Sequence, residues 1–175
     1  MKKTVLIFGI ISGVISSALL LATLPFMDKM HDSGNGYVVG YSGMILSFLL
    51  IFFGIRSYRD NIANGMISFG KAFKVGILIT AISCSFYVLT WEIVYFNFMP
   101  DFLEKYAKCE VDKMKKDGAT EAETTAKMAE MMEFNEKYQN PLFNAAVTFC
   151  EPLPVGLLIT LISAGLLKRK ETADS

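Results

Sequence analysis

Residues 4–27 run for 24 positions without a charged side chain, and three further apolar runs follow at 37–55, 75–98 and 141–167. At about 1.5 Å per residue, a 24-residue helix reaches roughly 36 Å, enough to cross a hydrocarbon core of about 30 Å with some tilt. Four such runs in 175 residues leave little chain for anything else. They predict an all-α, polytopic membrane protein with four transmembrane helices, organised as one membrane domain over residues 1–175.

Composition agrees. Hydrophobic residues make up 53% without counting glycine, whereas soluble domains reach about 45–50% with glycine included. The formal net charge is zero, so no global basic field points to nucleic acid. Cys84, Cys109 and Cys150 show no close spacing, which argues against a zinc module or a disulfide framework. Free thiols are the expectation, with a Cys109–Cys150 bridge as the alternative.

A cleaved signal peptide is the rival reading of the first run. Its apolar region should span only about 7–15 residues and end in small residues, and Leu20-Leu21-Ala22 fits that poorly. Gly9 and Gly13, flanked by Ser12 and Ser16, form a stripe that lets another helix approach closely. Intramolecular packing is the plain reading of that stripe, and a dimer seam is the other. Residues 28–36 are a short polar turn carrying His31, the only histidine, which reads as solvated because no matched ligand set lies near it. So short a turn makes helices one and two antiparallel neighbours. Tyr37 and Tyr41 open the second run as an interfacial belt would, and Gly36, Gly40 and Gly43 again offer close packing.

Residues 53–76 form a polar knot between the second and third runs. Arg56, Arg59, Lys71 and Lys74 stand there against one acid, Asp60, with a turn signal at 61–65. These four bases are candidate lipid-headgroup contacts. The plain alternative is a positive-inside signal with a helix turn. Trp91, Tyr95, Phe96 and Phe98 crowd the far end of the third run, again as an interfacial girdle would, before Pro100 and Asp101 end it.

Residues 101–140 are far more polar. Phe102, Leu103, Tyr106, Val111 and Met114 fall near one helical face, Gly118 stops that helix, and Thr120 with Glu123 reads as a capping box. Met128, Met131, Met132 and Tyr138 make the apolar side of a second helix. The segment is an amphipathic helical hairpin, too polar for lipid, resting on the bundle or at the headgroups. Pro152 and Pro154 predict a kink within the fourth span, because each removes a backbone donor.

Nine bases and three acids lie on the side of the termini, against eight bases and twelve acids on the other. The positive-inside rule therefore expects both termini in the cytoplasm and the hairpin outside.

Glu92 and Glu151 lie within apolar spans, roughly 9 and 15 Å below the outer boundary at about 1.5 Å per residue. An unpaired carboxylate there is costly. The pair is a candidate proton or cation site, with interfacial solvation as the plain reading. Met128, Met131 and Met132 could offer soft thioether ligands to Cu(I), although a methionine stripe at this spacing is usually a packing face. No Walker loop, GxGxxG, HExxH or GxSxG occurs, and no enzyme or cofactor is expected.

The pattern Gly54-x-Arg56-x-Tyr58-Arg59-Asp60, then Gly65, then Ser68 to Phe73 (SFGKAF), resembles a family of small bacterial membrane proteins. So does the junction from Tyr95 to Pro100, Asp101 and Phe102. The family is catalogued as domain of unknown function 4199 and is common in the Bacteroidota. The resemblance implies four transmembrane helices in a bacterial inner membrane and no known activity. The expectation is thus a non-enzymatic interaction or accessory protein, whose partners are membrane lipid, a second copy, or a membrane or envelope protein. The alternative is a small proton- or cation-coupled transport module using Glu92 and Glu151.

Overall fold

The computed structural model describes residues 1–26 and 36–169, apart from the side chains of Gly36 and Tyr37. The turn with His31 and the tail from Lys170 lie outside the described residues, as does the Tyr37 side chain. The helices are α1 (Lys2–Thr23), α2 (Gly36–Asn61), α3 (Phe69–Phe98), α4 (Phe102–Lys116), α5 (Glu121–Tyr138), α6 (Pro141–Cys150) and α7 (Leu153–Leu167). Four segments are long and apolar enough to cross a membrane: Lys2–Phe26, Val38–Asn61, Phe69–Phe98 and Pro141–Leu167. Helices suit that setting because every backbone polar group within lipid must bond inside its own segment.

The last span is α6 and α7 end to end, interrupted at Glu151 and Pro152. Pro152 and Pro154 have no N–H to give, so the helix breaks where the two prolines predict. Spans two and three are longer than the apolar runs that mark them. Helix α2 continues through Arg56 and Arg59 to Asn61, and α3 starts at Phe69, with Ser68 accepting from the Lys71 N–H at 3.4 Å. Near the end of α2, Asp60 bonds Arg59 Nε at 2.7 Å and meets Arg56 one turn earlier at 3.6 Å. The polar knot is therefore only a tight turn. Asn64 and Gly65 take positive φ there, +50° and +80°, and the Gly65 N–H closes onto the Arg59 carbonyl at 2.9 Å.

Spans one and four both pack against spans two and three. Lipid tails are as apolar as leucine, so close fit and interhelical hydrogen bonds must hold such a bundle. The glycine stripe of α1 supplies close fit within the molecule. A side-chain carbon at Gly9 would lie 2.9 Å from Ile82, and one at Gly13 would lie 2.7 Å from Phe86. The second stripe does not behave this way. Among the described residues, nothing faces Gly40, and Gly43 makes ordinary contact with Leu19.

Helices α3 and α7 approach closely at a pair of matched segments. Val75 to Thr80 reads VGILIT and Val155 to Thr160 reads VGLLIT. The two copies pack reciprocally, Gly76 against Thr160 and Gly156 against Thr80. Thr80 Oγ1 donates to the Gly76 carbonyl at 3.1 Å, so Thr160 donates across the crossing to Thr80 at 3.2 Å. A second polar tie joins three spans. Ser12 donates to the Ser47 carbonyl at 2.9 Å, which makes Ser83 the donor in the 3.0 Å Ser12–Ser83 bond.

Helices α4 and α5 form the hairpin between spans three and four. Gly118 ends α4 with φ +90°. The Thr120–Glu123 capping box opens α5, with the Thr120 N–H donating to Glu123 at 2.8 Å and the Glu123 N–H donating to Thr120 at 3.3 Å. These bonds hold the Glu123 carboxyl below its ordinary range. The α5 face that packs inward carries Thr124, Met128, Met131, Asn135 and Tyr138, at the i, i+4, i+7 spacing of one stripe. Met132 falls off that stripe and is exposed, so it is not part of the apolar side.

Candidate functional site

The hairpin is bound to the bundle by a directed chain of hydrogen bonds around Tyr138. Trp91, near the end of α3, donates Nε1–H to the Tyr138 hydroxyl at 2.9 Å. Thr148 on α6 spends its one proton on Asn144 Oδ1 at 3.2 Å. In the 3.0 Å Tyr138–Thr148 bond the donor must therefore be Tyr138. Asn144 Nδ2 closes the circuit onto the Tyr138 carbonyl at 3.4 Å. Trp91, Tyr138, Asn144 and Thr148 are all buried, and a buried network fully satisfied in this way fixes one arrangement of its elements.

Aromatic packing surrounds the circuit. Trp91 meets Phe102 edge-on with centroids 5.2 Å apart, and Tyr95 meets Tyr138 edge-on, also at 5.2 Å. Leu20 and Leu24 at the end of span one pack against the same cluster. Gln139 donates to the Tyr95 hydroxyl at 3.0 Å and adds a second polar tie. The girdle read at the end of span three is thus largely a socket for the hairpin. Phe98 alone of its four aromatics points fully outward.

Both intramembrane carboxylates border this socket. Glu151, at the break in span four, accepts from the Tyr87 hydroxyl at 3.4 Å. Glu92 keeps one carboxylate oxygen buried without a hydrogen-bond partner among the described residues. No hydrogen bond joins the two glutamates among the described residues. Tyr138 lies within the electrostatic reach of both. Burial pushes its hydroxyl pKa up, the N–H it accepts from Trp91 pulls it down, and the negative fields of Glu151 and Glu92 push it up further. The hydroxyl stays protonated at neutral pH, as its role of donor to Thr148 requires.

The opposite end of the bundle is basic. Arg56 and Arg59 share Asp60, while Lys71 and Lys74 are exposed and meet no carboxylate among the described residues. Ile67 and Arg169 exchange backbone hydrogen bonds at 3.0 and 2.9 Å, tying the turn between spans two and three to the end of span four. Met128 and Met131 are half-buried, and Met132 points away from them. All three cysteines are free thiols, with Cys84 buried and Cys150 exposed. Among the described residues, no three His, Cys, Asp or Glu side chains lie close enough to hold a metal ion.

The family model described as "Protein of unknown function (DUF4199)" matches residues 7–169, nearly the whole chain. The chain belongs to the DUF4199 family. No curated protein matches it, and neither does any solved structure. The region matched to DUF4199 includes the Tyr138 socket, both intramembrane glutamates and the Ile67–Arg169 pairing. This DUF4199 chain is a multi-pass membrane protein whose molecular function the match does not supply.

Sequence reasoning singled out Glu92 and Glu151 but passed over Tyr87, Asn144 and Thr148, and it treated Trp91 as a lipid-interface residue. One signal was available. Asn144 and Thr148 stand one helical turn apart inside an apolar run, and polar side chains so placed need partners.

Proposed function

We propose that this DUF4199 protein is a non-enzymatic accessory protein of a bacterial inner membrane that presents its hairpin to a protein partner outside the membrane. The Tyr138 circuit carries this reading. It clamps the hairpin to spans three and four at once, making the hairpin a mounted platform with one orientation rather than a slack linker. The outer side of α5 is left hydrated and mixed in charge, with Lys127–Glu130 at 2.9 Å and Lys137–Glu133 at 2.7 Å. Such pairs contribute little stability and suit a surface that a partner reads.

Orientation follows from charge. Lys2, Lys3, Arg56, Arg59, Lys71, Lys74, Lys168 and Arg169 gather at one end, with Asp60 as the acid among described residues there. Bases at the span ends face the cytoplasm, which supports cytoplasmic termini. The test is a photo-crosslinking residue in place of Glu130 in growing cells, combined with a C-terminal reporter active only in the cytoplasm. A discrete protein adduct, from an envelope protein or a second copy, is expected together with an active reporter. A hairpin that crosslinks to no protein overturns the partner reading, and a silent reporter on an expressed fusion overturns the orientation.

A second reading, a proton- or cation-coupled module, is favoured by the orphaned Glu92 oxygen beside the socket that Glu151 also borders. It expects Glu92→Gln and Glu151→Gln each to lower proton- or cation-dependent flux into proteoliposomes at least tenfold without lowering thermal stability. Flux equal to that of protein-free liposomes for the unaltered chain dismisses it.

A further inference from the structure

Helices α1 and α3 lie side by side in a constant register. The Ser17 and Thr90 hydroxyls that meet at 2.8 Å are 73 positions apart. Gly9 against Ile82 and Gly13 against Phe86 keep the same offset. Followed toward the basic end, that register sets Val5 level with Leu78 and Met1 level with Lys74. The small residues that bring the helices together end at Gly9. Beyond it lies a groove of about 240 Å³ lined by Met1, Lys2, Val5, Leu6 and Leu78. Leu6 and Leu78 are exposed on the lipid-facing surface, so the groove opens sideways into a leaflet.

Its mouth is basic. Lys71, Lys74 and Leu78 fall at i, i+3 and i+7, on one face of α3. Lys2 is part of the lining itself. The neighbouring arginines are engaged by Asp60, whereas none of these three lysines meets a carboxylate among the described residues. An apolar slot with free ammonium groups at one end complements an amphiphile with an anionic head and an alkyl chain. Ammonium groups serve as point charges on flexible stems, so they hold a phosphate without the fixed fork that arginine needs.

We propose that this groove binds an anionic glycerophospholipid of the surrounding leaflet. The acyl chain lies against Val5, Leu6 and Leu78, and the phosphate is held by Lys2 and Lys74, with Lys71 one turn away. The site goes beyond the partner reading and does not depend on it, because the hairpin is at the other end of the bundle.

The test uses the full chain in detergent, with phosphatidylglycerol and phosphatidylcholine of matched chains as probes. Lipid retention is read by native mass spectrometry and thermal unfolding is followed in parallel. At least tenfold greater retention of phosphatidylglycerol is expected, with a rise in melting temperature that inorganic phosphate does not reproduce. The Lys2→Gln, Lys74→Gln double variant should lose that preference, and Arg56→Gln should keep it. Leu78→Trp leaves every charge in place but fills the groove, so it should also lose retention. That variant decides the matter if the lysine variant fails to insert. Equal retention of the two lipids, undiminished retention by Leu78→Trp, or an equal loss from Arg56→Gln overturns the site.

Discussion

A valine at Gly156 is expected to cost the bundle about 3 kcal/mol or more, at the upper end of what overpacking a well-filled interior does. The reason is the reciprocal crossing of spans three and four. A side-chain carbon at Gly156 collides with the Thr80 methyl and stands 3.2 Å from Phe48. Thr80 has little freedom to move aside, because its hydroxyl bonds both Gly76 and Thr160. Valine at Gly76 meets the same obstacle from the other side, 2.7 Å from Thr160 and 3.0 Å from Ile55. Valine is the better helix former by only a few tenths of a kcal/mol, too little to offset the clash. Thermal unfolding in detergent should show a large drop in melting temperature for both variants. Gly40→Val is the matched control, since nothing among the described residues faces Gly40, and it should stay within about 0.5 kcal/mol of the parent. Equal melting temperatures for Gly156→Val and Gly40→Val would contradict the crossing.

Tyr138→Ala is expected to free the hairpin while leaving the spans assembled. Truncating a buried aromatic side chain costs about 3–5 kcal/mol. Here the loss falls on one joint. The Trp91 N–H loses its acceptor, Thr148 loses its donor, and the ring contacts with Tyr95 and Phe134 disappear. Hydrogen exchange should rise across Phe102–Lys116 and Glu121–Tyr138 and stay low in α1, α2 and α3. Tyr138→Phe keeps the ring but strands the Trp91 donor, and should show a smaller loss of about 1–3 kcal/mol. If exchange in the hairpin is unchanged in Tyr138→Ala, the clamp is not what holds it. The same variant bears on the proposed function, because a loosened platform should also lose its crosslink from position 130.

Much of this architecture was legible before any coordinates. Long apolar runs marked four spans, Gly118 and the Thr120–Glu123 box marked the hairpin's turn, and Pro152 with Pro154 marked the break in span four. Each is a local signal, carried by residues within a turn or two of one another. Pairings across the chain were harder. Gly9 and Gly13 were recognisable as a packing stripe, but Gly40 looked equally good and faces nothing among the described residues. Spacing says which face is small, not whether a neighbour lies against it. The VGILIT and VGLLIT copies went unremarked in the sequence, because 80 positions separate their glycines and nothing in either copy says that they cross. The Tyr138 circuit joins residues from three helices, and its direction emerges only once each hydroxyl's single proton is assigned.

By itself, the order of residues determined that lipid surrounds this chain, how many times it crosses, and where the polar hairpin interrupts the crossings. Transfer between water and hydrocarbon acts on each segment nearly independently, so composition along the chain is enough. Only the folded bundle decided which small residues touch, that the aromatic end of span three is a socket, that one oxygen of Glu92 lacks a partner among the described residues, and that Met1, Lys2, Val5, Leu6 and Leu78 line a groove. Inside lipid, helix association rests on the fit of side chains drawn from distant segments, and that fit exists only when all the segments are in place.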